Sequence, residues 1–177
     1  LQSFRLSARR ANVFITVSEN SRRDVVKFYK IEAAKVNVIP EGVDTNLFRP
    51  IHDQEADREF RVKTLGSDVP YFLFVGKPVK RRNIPNLLLA FQKLKQEKRL
   101  PHKFLIIGSD LPGLPIAMLI QEMNMQDHVV LKGYASHEEM VRAYNAAEAL
   151  VYPSSYEGFG MPVLEAMACG APTITSS

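Results

Sequence analysis

A stretch near the C-terminus combines the residue types that bind phosphate with two carboxylates. Glu157 and Glu165 stand eight positions apart, and between them lie Gly158, Gly160 and Pro162. Glycine has no Cβ, so its backbone can approach a ligand closely, and proline is favoured at the start of a helix. The free amides and the positive dipole end of that helix attract an anion. The stretch therefore predicts a phosphate site in a loop that leads into a helix.

The two carboxylates indicate that the ligand also carries hydroxyl groups. Carboxylates repel phosphate but accept hydrogen bonds from hydroxyls. A separate basic cluster, Lys77 with 80–82, supplies four cations within six residues. No aromatic residues interleave with this cluster, so we expect phosphate rather than nucleic acid as its partner. Together these features predict a nucleotide joined through phosphate to a sugar.

The composition is that of an ordinary globular protein. Of the 177 residues, 46% are hydrophobic and 24% are charged, enough for one good core or slightly more. No run of 18 apolar residues predicts a membrane span, and the first ten residues lack the apolar segment of a signal peptide. The single cysteine, Cys169, excludes an internal disulfide and is expected to pack rather than react. We expect a cytoplasmic protein, and its net charge of +4 also suits peripheral contact with the inner face of an anionic membrane.

Short apolar segments alternate with amphipathic segments from residue 70 onward. Strands are predicted at 71–75, 104–107, 129–131, 150–152 and 172–175, with helices at 84–94, 116–123, 136–147 and 163–168. This order is typical of an α/β fold, a parallel Rossmann-like sheet with helices on both faces. The basic cluster, Gly108 and the glycine loop each follow a strand. Because ligands of such sheets bind beyond the carboxyl ends of the strands, we expect one shared site there.

Three regions are expected along the chain. Residues 1–50 form a separate unit with strands near 13–17 and 36–39 and a helix capped by Ser18. Residues 51–69 are rich in charge and poor in large apolar groups, which predicts a polar linker or surface excursion. Residues 70–177 form the nucleotide-sugar-binding domain.

Four segments, in order along the chain, carry a resemblance to a known family. They are Val17–Ser21, Ile39–Asp44, Val75–Lys77 with Arg82-Asn83, and Glu157–Gly170. The chain resembles the retaining nucleotide-sugar glycosyltransferases of family 4, in which two Rossmann-like domains face a cleft. The resemblance implies that residues 1–50 are the tail of the N-terminal Rossmann-like domain plus the crossover. It also implies that this chain is a fragment, incomplete at both ends, whose missing N-terminal domain is its partner.

The resemblance implies roles for individual residues. Catalytic roles fall to Lys77, Arg82 and Glu157, and donor-binding roles to Gly76, Gly158, Phe159, Gly160, Met161 and Glu165. Lys77 and Arg82 resemble the pair that holds the diphosphate, with lysine and arginine exchanged relative to the usual family pattern. Glu157 resembles the glutamate that binds the donor sugar, and Glu165 the one that binds the ribose hydroxyls.

The expected activity is transfer of a hexose from a nucleoside-diphosphate sugar to an acceptor with retention of anomeric configuration. GDP-mannose or a UDP-sugar is the candidate donor, and a glycan, a lipid-linked glycan or a small molecule is the candidate acceptor. No Asp-x-Asp motif occurs, so we expect a metal-independent reaction without a cofactor. The isolated fragment is expected to be inactive, because the acceptor half is absent and proximity of both substrates is lost.

Other functions are compatible with parts of the pattern. A non-catalytic nucleotide-sugar-binding module would need the same donor residues. A phosphorylase or an epimerase on the same scaffold would need the same fold. A nicotinamide-dependent oxidoreductase is less favoured, because Val163 stands where the dinucleotide fingerprint needs its third glycine.

Overall fold

The computed structural model describes residues 8, 10–98, 100–108 and 115–176. Two compact units divide the chain: residues 1–42 with 157–161, and residues 43–156 with 162–177. The elements of the described ranges are β1 (Phe14–Thr16), α1 (Glu19–Tyr29), β2 (Val36–Val38), α2 (Gln54–Leu65), β3 (Tyr71–Val75), α3 (Ile84–Lys98), β4 (Lys103–Ile107), α4 (Pro115–Glu122), β5 (Val129–Lys132), α5 (His137–Asn145), β6 (Ala149–Tyr152), α6 (Met161–Ala168) and β7 (Thr173–Thr175). Short 3₁₀ turns occupy Ala33–Lys35 and Lys80–Arg82.

The larger unit is built on a parallel sheet of five strands. Its strand order is β5-β4-β3-β6-β7, and every neighbouring pair is parallel. The central strands are buried because their side chains are apolar on both faces, as in Tyr71, Leu73 and Phe74 of β3. The predicted parallel Rossmann-like α/β fold is confirmed.

Helices cover both faces of this sheet. Helix α3 contacts α4, and α2 contacts α5, as right-handed crossovers predict for a sheet whose order reverses at its centre. The core includes a cluster of aromatic rings: Phe91 meets Phe104 edge-on at 5.3 Å between centroids. The His102 ring stacks on the Phe72 ring, with centroids 4.8 Å apart. This histidine therefore has a packing role.

The described part of the smaller unit includes two parallel strands and the helix α1. β1 pairs with β2 in the register Phe14 to Val36. Ser18 caps α1 as predicted, because its side chain accepts a hydrogen bond from the Ser21 amide. None of the residues of α1 is buried, so this unit has little core of its own.

The charged stretch before β3 contains a helix. The stretch 51–69 was expected to be a polar linker or surface excursion, and within it residues 54–65 form α2, capped by Asp53 and ended by Gly66. Large apolar residues are few in α2, so its sequence shows little helical periodicity, although Leu65 at its end is buried. In α3 the buried positions end at Phe91, and Leu94 is 41% exposed.

The domain boundaries at residues 50 and 70 stay predictions. No helix among the described residues is long and apolar enough to cross a bilayer.

Candidate functional site

The predicted site residues after β3 lie at the topological switch point of the sheet. β3 and β6 are neighbours in the sheet, but the chain leaves them in opposite directions, to β4 on one side and β7 on the other. A crevice opens beyond the carboxyl ends of two such strands and is where ligands of this fold class bind. Gly76 and Lys77 directly follow β3, and the glycine loop follows β6.

Gly76 and Arg82 are packed against each other at this edge. A Cβ at position 76 would lie 1.4 Å from Nη1 of Arg82, and the φ of Gly76 is +123°. Nη1 donates a hydrogen bond to the Val75 carbonyl at 3.1 Å, and the guanidinium carbon lies 5.4 Å from the ring centroid of Tyr152. The guanidinium thus reaches from the end of β3 to the end of β6, held by a carbonyl and an aromatic face.

A second glycine brings the neighbouring strand end close to the first. Gly108 has φ +101°, and a Cβ there would meet the Gly76 backbone at 3.1 Å. The Gly76 amide donates to the Ile107 carbonyl at 2.8 Å. The ends of β3 and β4 therefore approach each other backbone to backbone.

The turn that carries Arg82 is bonded to the segment after β6. The Arg81 carbonyl accepts hydrogen bonds from the Ser155 amide at 2.8 Å and from its hydroxyl at 3.1 Å. The Arg82 amide donates to the Val79 carbonyl at 2.9 Å, and Asn83 ends the 3₁₀ turn in a left-handed conformation. Lys77 is exposed beside this turn.

Residues 157–161 group with the smaller unit. The Ser21 hydroxyl donates to the Gly158 carbonyl at 3.4 Å. Gly160 has φ +101° with open space where a Cβ would stand. Residues 157–161, which include Glu157, Phe159 and Met161, are half-buried. The predicted convergence of Lys77 and Arg82 with Gly160 on one diphosphate stays a prediction.

Glu165 lies in α6 and receives a hydrogen bond from a buried tyrosine. The Tyr144 hydroxyl donates to Oε2 of Glu165 at 2.7 Å, and Tyr144 itself is fully buried. Burial, followed by the Glu165 charge, raises the pKa of Tyr144 well above its usual range. Burial and the same carboxylate also raise the pKa of the Cys169 thiol to about 11, which fits the packing role expected for this cysteine.

The end of β5 carries an ion pair. Lys132 Nζ lies 3.0 Å from Oε1 of Glu139, while Oε2 of Glu139 accepts from the Ser136 amide at 3.0 Å. The pKa of Glu139 lies below its usual value, first because of the Ser136 amide and then because of Lys132. Residues 109–114, which follow Gly108 at the end of β4, lie outside the described residues.

Sequence reasoning missed three residues that contact the predicted ones. Tyr144 falls within the predicted helix 136–147 without a role of its own. Ser155 had no assigned role, and Ser21 only ended one of the four segments that carry the family resemblance. No local pattern marks such partners, because each contacts a residue far along the chain. Among the described residues, no group of three or more His, Cys, Asp or Glu could hold a metal ion.

Comparison with known proteins decides the family. The family model described as "Glycosyl transferases group 1" matches residues 55–177, and that described as "Glycosyltransferase Family 4" matches residues 1–47. This chain belongs to the group 1 glycosyl transferase family. The predicted resemblance to nucleotide-sugar glycosyltransferases is confirmed at the level of group 1, while membership of family 4 in particular stays a prediction.

Relatives of this group 1 chain include two mannosyltransferases. O-antigen chain mannosyltransferase B of Escherichia coli is 28% identical over 170 residues, covering 94% of this chain and 44% of that protein. MMP alpha-(1->4)-mannosyltransferase of Mycolicibacterium hassiacum is 30% identical over 169 residues, covering 96% of this chain and 38% of that protein. The chain spans less than half the length of the curated relatives it matches.

Solved structures agree with the group 1 fold. Sucrose-phosphate synthase from Thermosynechococcus elongatus superposes with a TM-score of 0.81 at 28% identity, covering 99% of this chain and 43% of that one. The C-terminal domain of a group 1 glycosyl transferase from Francisella tularensis gives a TM-score of 0.62 at 24% identity, covering 76% of this chain and 70% of that one. The second of these likenesses concerns the fold alone.

Proposed function

We propose that the protein containing this chain transfers a hexose from a nucleoside-diphosphate sugar to an acceptor with retention of anomeric configuration, and that this chain supplies the donor site. The observation that carries the proposal is the Arg82 guanidinium, which lies at the switch point of a group 1 glycosyl transferase sheet. A cation fixed there stands where a fold of this class binds its ligand. Two relatives named as mannosyltransferases support GDP-mannose as the donor to test first, with UDP-sugars next.

The proposed chemistry needs stabilisation of a leaving diphosphate. Transfer breaks the bond between the anomeric carbon and a diphosphate oxygen, through a transition state resembling an oxocarbenium ion. Negative charge then grows on the departing oxygen. Arg82 and Lys77 lower the barrier if they interact with that charge more strongly in the transition state than in the ground state.

The carboxylates divide the remaining work in this proposal. Glu157 accepts hydrogen bonds from the donor sugar, and Glu165 from the ribose hydroxyls. Gly76, Gly158 and Gly160 leave room for the ligand at the backbone. Phe159 and Met161 are also assigned to donor binding in this proposal.

Calorimetric titration of the complete protein with nucleoside diphosphates and their sugar conjugates tests the proposal. Glu165→Ala should weaken both kinds of ligand by about 1–3 kcal/mol, because ribose hydroxyls lose a charged partner. Glu157→Ala should spare the free diphosphate and weaken only the sugar conjugate. Glu59→Ala is the matched control, since it removes an equal charge from an exposed position on α2.

Turnover separates an enzyme from a binding module. Arg82→Ala should slow release of nucleoside diphosphate by about ten- to a hundredfold, from the loss of one charge-assisted contact to the leaving group. Donor binding by the complete protein without any release of nucleoside diphosphate, over a panel of acceptors, would overturn the transfer. Equal losses for free diphosphate and conjugate in Glu157→Ala would contradict the division between the two glutamates.

A further inference from the structure

Tyr144 places a buried hydroxyl directly on the carboxylate of Glu165. The O–H donates to Oε2 at 2.7 Å, and the tyrosine side chain has no exposed surface. Its ring meets the Phe48 ring edge-on, with centroids 6.1 Å apart and planes at 65°. The ring is therefore enclosed, and its hydroxyl is directed at the Glu165 carboxylate.

The helix that carries Tyr144 is anchored at both ends. At its start, Ser136 and Glu139 form a capping box. At its end, Oδ1 of Asn145 accepts from the Ile51 amide at 2.6 Å, and Nδ2 of Asn145 donates to the Arg49 carbonyl at 3.1 Å. Tyr144 is thus held by a fixed scaffold rather than by a flexible loop.

The Tyr144 hydroxyl is protonated near neutral pH and acts as the donor of this bond. Burial and the Glu165 charge raise the pKa of Tyr144 far above neutrality, so the proton stays on the tyrosine. The bond uses Oε2 of Glu165, and among the described residues none donates a hydrogen bond to Oε1. Glu165 is only half-buried, so its second oxygen can meet a ligand.

We propose that Tyr144 is the positioning residue of the donor site. Its hydroxyl holds the Glu165 carboxylate in the orientation that accepts hydrogen bonds from ribose. A glutamate side chain has three rotatable bonds, so fixing it before the ligand arrives lowers the entropy lost on binding. The inference rests on the proposed function, which assigns the ribose to Glu165.

Tyr71 offers a matched control within the same chain. It is also fully buried, and its hydroxyl donates at 2.7 Å to the carbonyl of Ala143, the residue before Tyr144. Burial likewise raises the pKa of Tyr71. Tyr71→Phe and Tyr144→Phe remove the same atom from equally buried positions, but only Tyr144 touches Glu165.

The experiment titrates GDP, UDP and their 2′-deoxyribose counterparts into the complete protein. Tyr144→Phe should weaken the better ribonucleoside diphosphate by about three- to tenfold, near the value of one hydrogen bond, and should weaken the deoxy ligand less. Tyr71→Phe should leave both affinities within about twofold of the wild-type values. It should lower the melting temperature about as much as Tyr144→Phe does, because each variant loses one buried hydrogen bond. Equal effects of the two variants on affinity would overturn the positioning role.

A double-mutant cycle shows whether Tyr144 acts through Glu165. In the Glu165→Ala background, Tyr144→Phe should cause no further loss of affinity; additive losses would overturn the inference. If Tyr144→Phe does not fold, Phe48→Leu replaces it, because Phe48 packs edge-on against the Tyr144 ring and its loss loosens that ring. An unchanged preference for ribose over deoxyribose in Phe48→Leu would also overturn the inference. A wild-type protein that binds none of the four ligands overturns the proposed function itself, whereas binding that depends on Glu165 but not on Tyr144 overturns this inference alone.

Discussion

The side chain of Arg82 occupies space that only glycine leaves open at position 76. Nη1 stands 1.4 Å from where a Cβ would be, and it donates to the Val75 carbonyl. The guanidinium is the movable partner of this pair, because an arginine side chain can swing away whereas the backbone of a strand end cannot. Glycine at position 76 therefore determines where the candidate phosphate-binding charge is held.

Gly76→Ala should displace Arg82 and weaken binding of nucleoside diphosphate. The backbone of the new alanine also has to keep φ +123°, a conformation that costs an L-residue roughly 1–2 kcal/mol or more. Gly66→Ala is the control, since Gly66 has φ +75° but nothing within 4 Å of its Cβ position. Both variants should lower the melting temperature in a thermal scan, but only Gly76→Ala should weaken binding. Unchanged affinity in Gly76→Ala would show that the position of Arg82 does not matter for the ligand.

Helix α5 links the sheet to the candidate site through its two ends. Its first turn carries the Ser136–Glu139 capping box and the Lys132 ion pair, and its last turn carries Tyr144. The pKa of Glu139 in the folded protein lies below its usual value of 4.5. The charged form therefore stabilises the fold above about pH 4.5, and this contribution is lost as the pH falls through the lower folded pKa.

Glu139→Gln should lower the melting temperature near pH 7, and the difference from the wild type should shrink as the pH falls below 4.5. The expected difference at pH 7 is small, about 1–3 °C, because the Glu139 side chain is 39% exposed and water screens the pair. Glu138→Gln changes a charge in the same first turn without the capping contact and serves as the control. A pH-independent effect of Glu139→Gln would show that shape rather than charge holds the cap.

On the scale of the whole molecule, the two units differ in how much core each contains. The larger unit buries apolar side chains on both faces of five strands. In its described residues, the smaller unit pairs two three-residue strands, carries α1 without buried residues, and exposes Ile15 and Ile39. Two-stranded sheets are marginally stable in water.

Hydrogen exchange should distinguish the units of the 177-residue chain. Amides of β1, β2 and α1 should exchange faster than those of β3 and β4, because local opening costs less where little apolar surface is buried. Mass spectrometry of peptides from 10–42 and 71–107 measures this directly. Equal protection in both sets would show that the smaller unit is stabilised by more than its own contacts.

The amino-acid sequence by itself determined the strands, most helix starts and the glycine loop. Apolar runs such as 71–75 and 104–107 define buried parallel strands locally, and Ser18 and Ser136 mark helix starts by their chemistry. The order of the four segments indicated a nucleotide-sugar glycosyltransferase, which the group 1 family model supports. These features are local, so neighbouring residues suffice to specify them.

Only the tertiary structure decided which distant residues meet. Strand order brings the ends of β3 and β6 together, which places Arg82 against Tyr152 and bonds Ser155 to the Arg81 carbonyl. Packing of α5 sets the Tyr144 hydroxyl on Glu165, and α2 forms although its apolar period is weak. Such contacts join residues separated by about twenty to seventy positions, and their free energy depends on the folded core rather than on any local pattern.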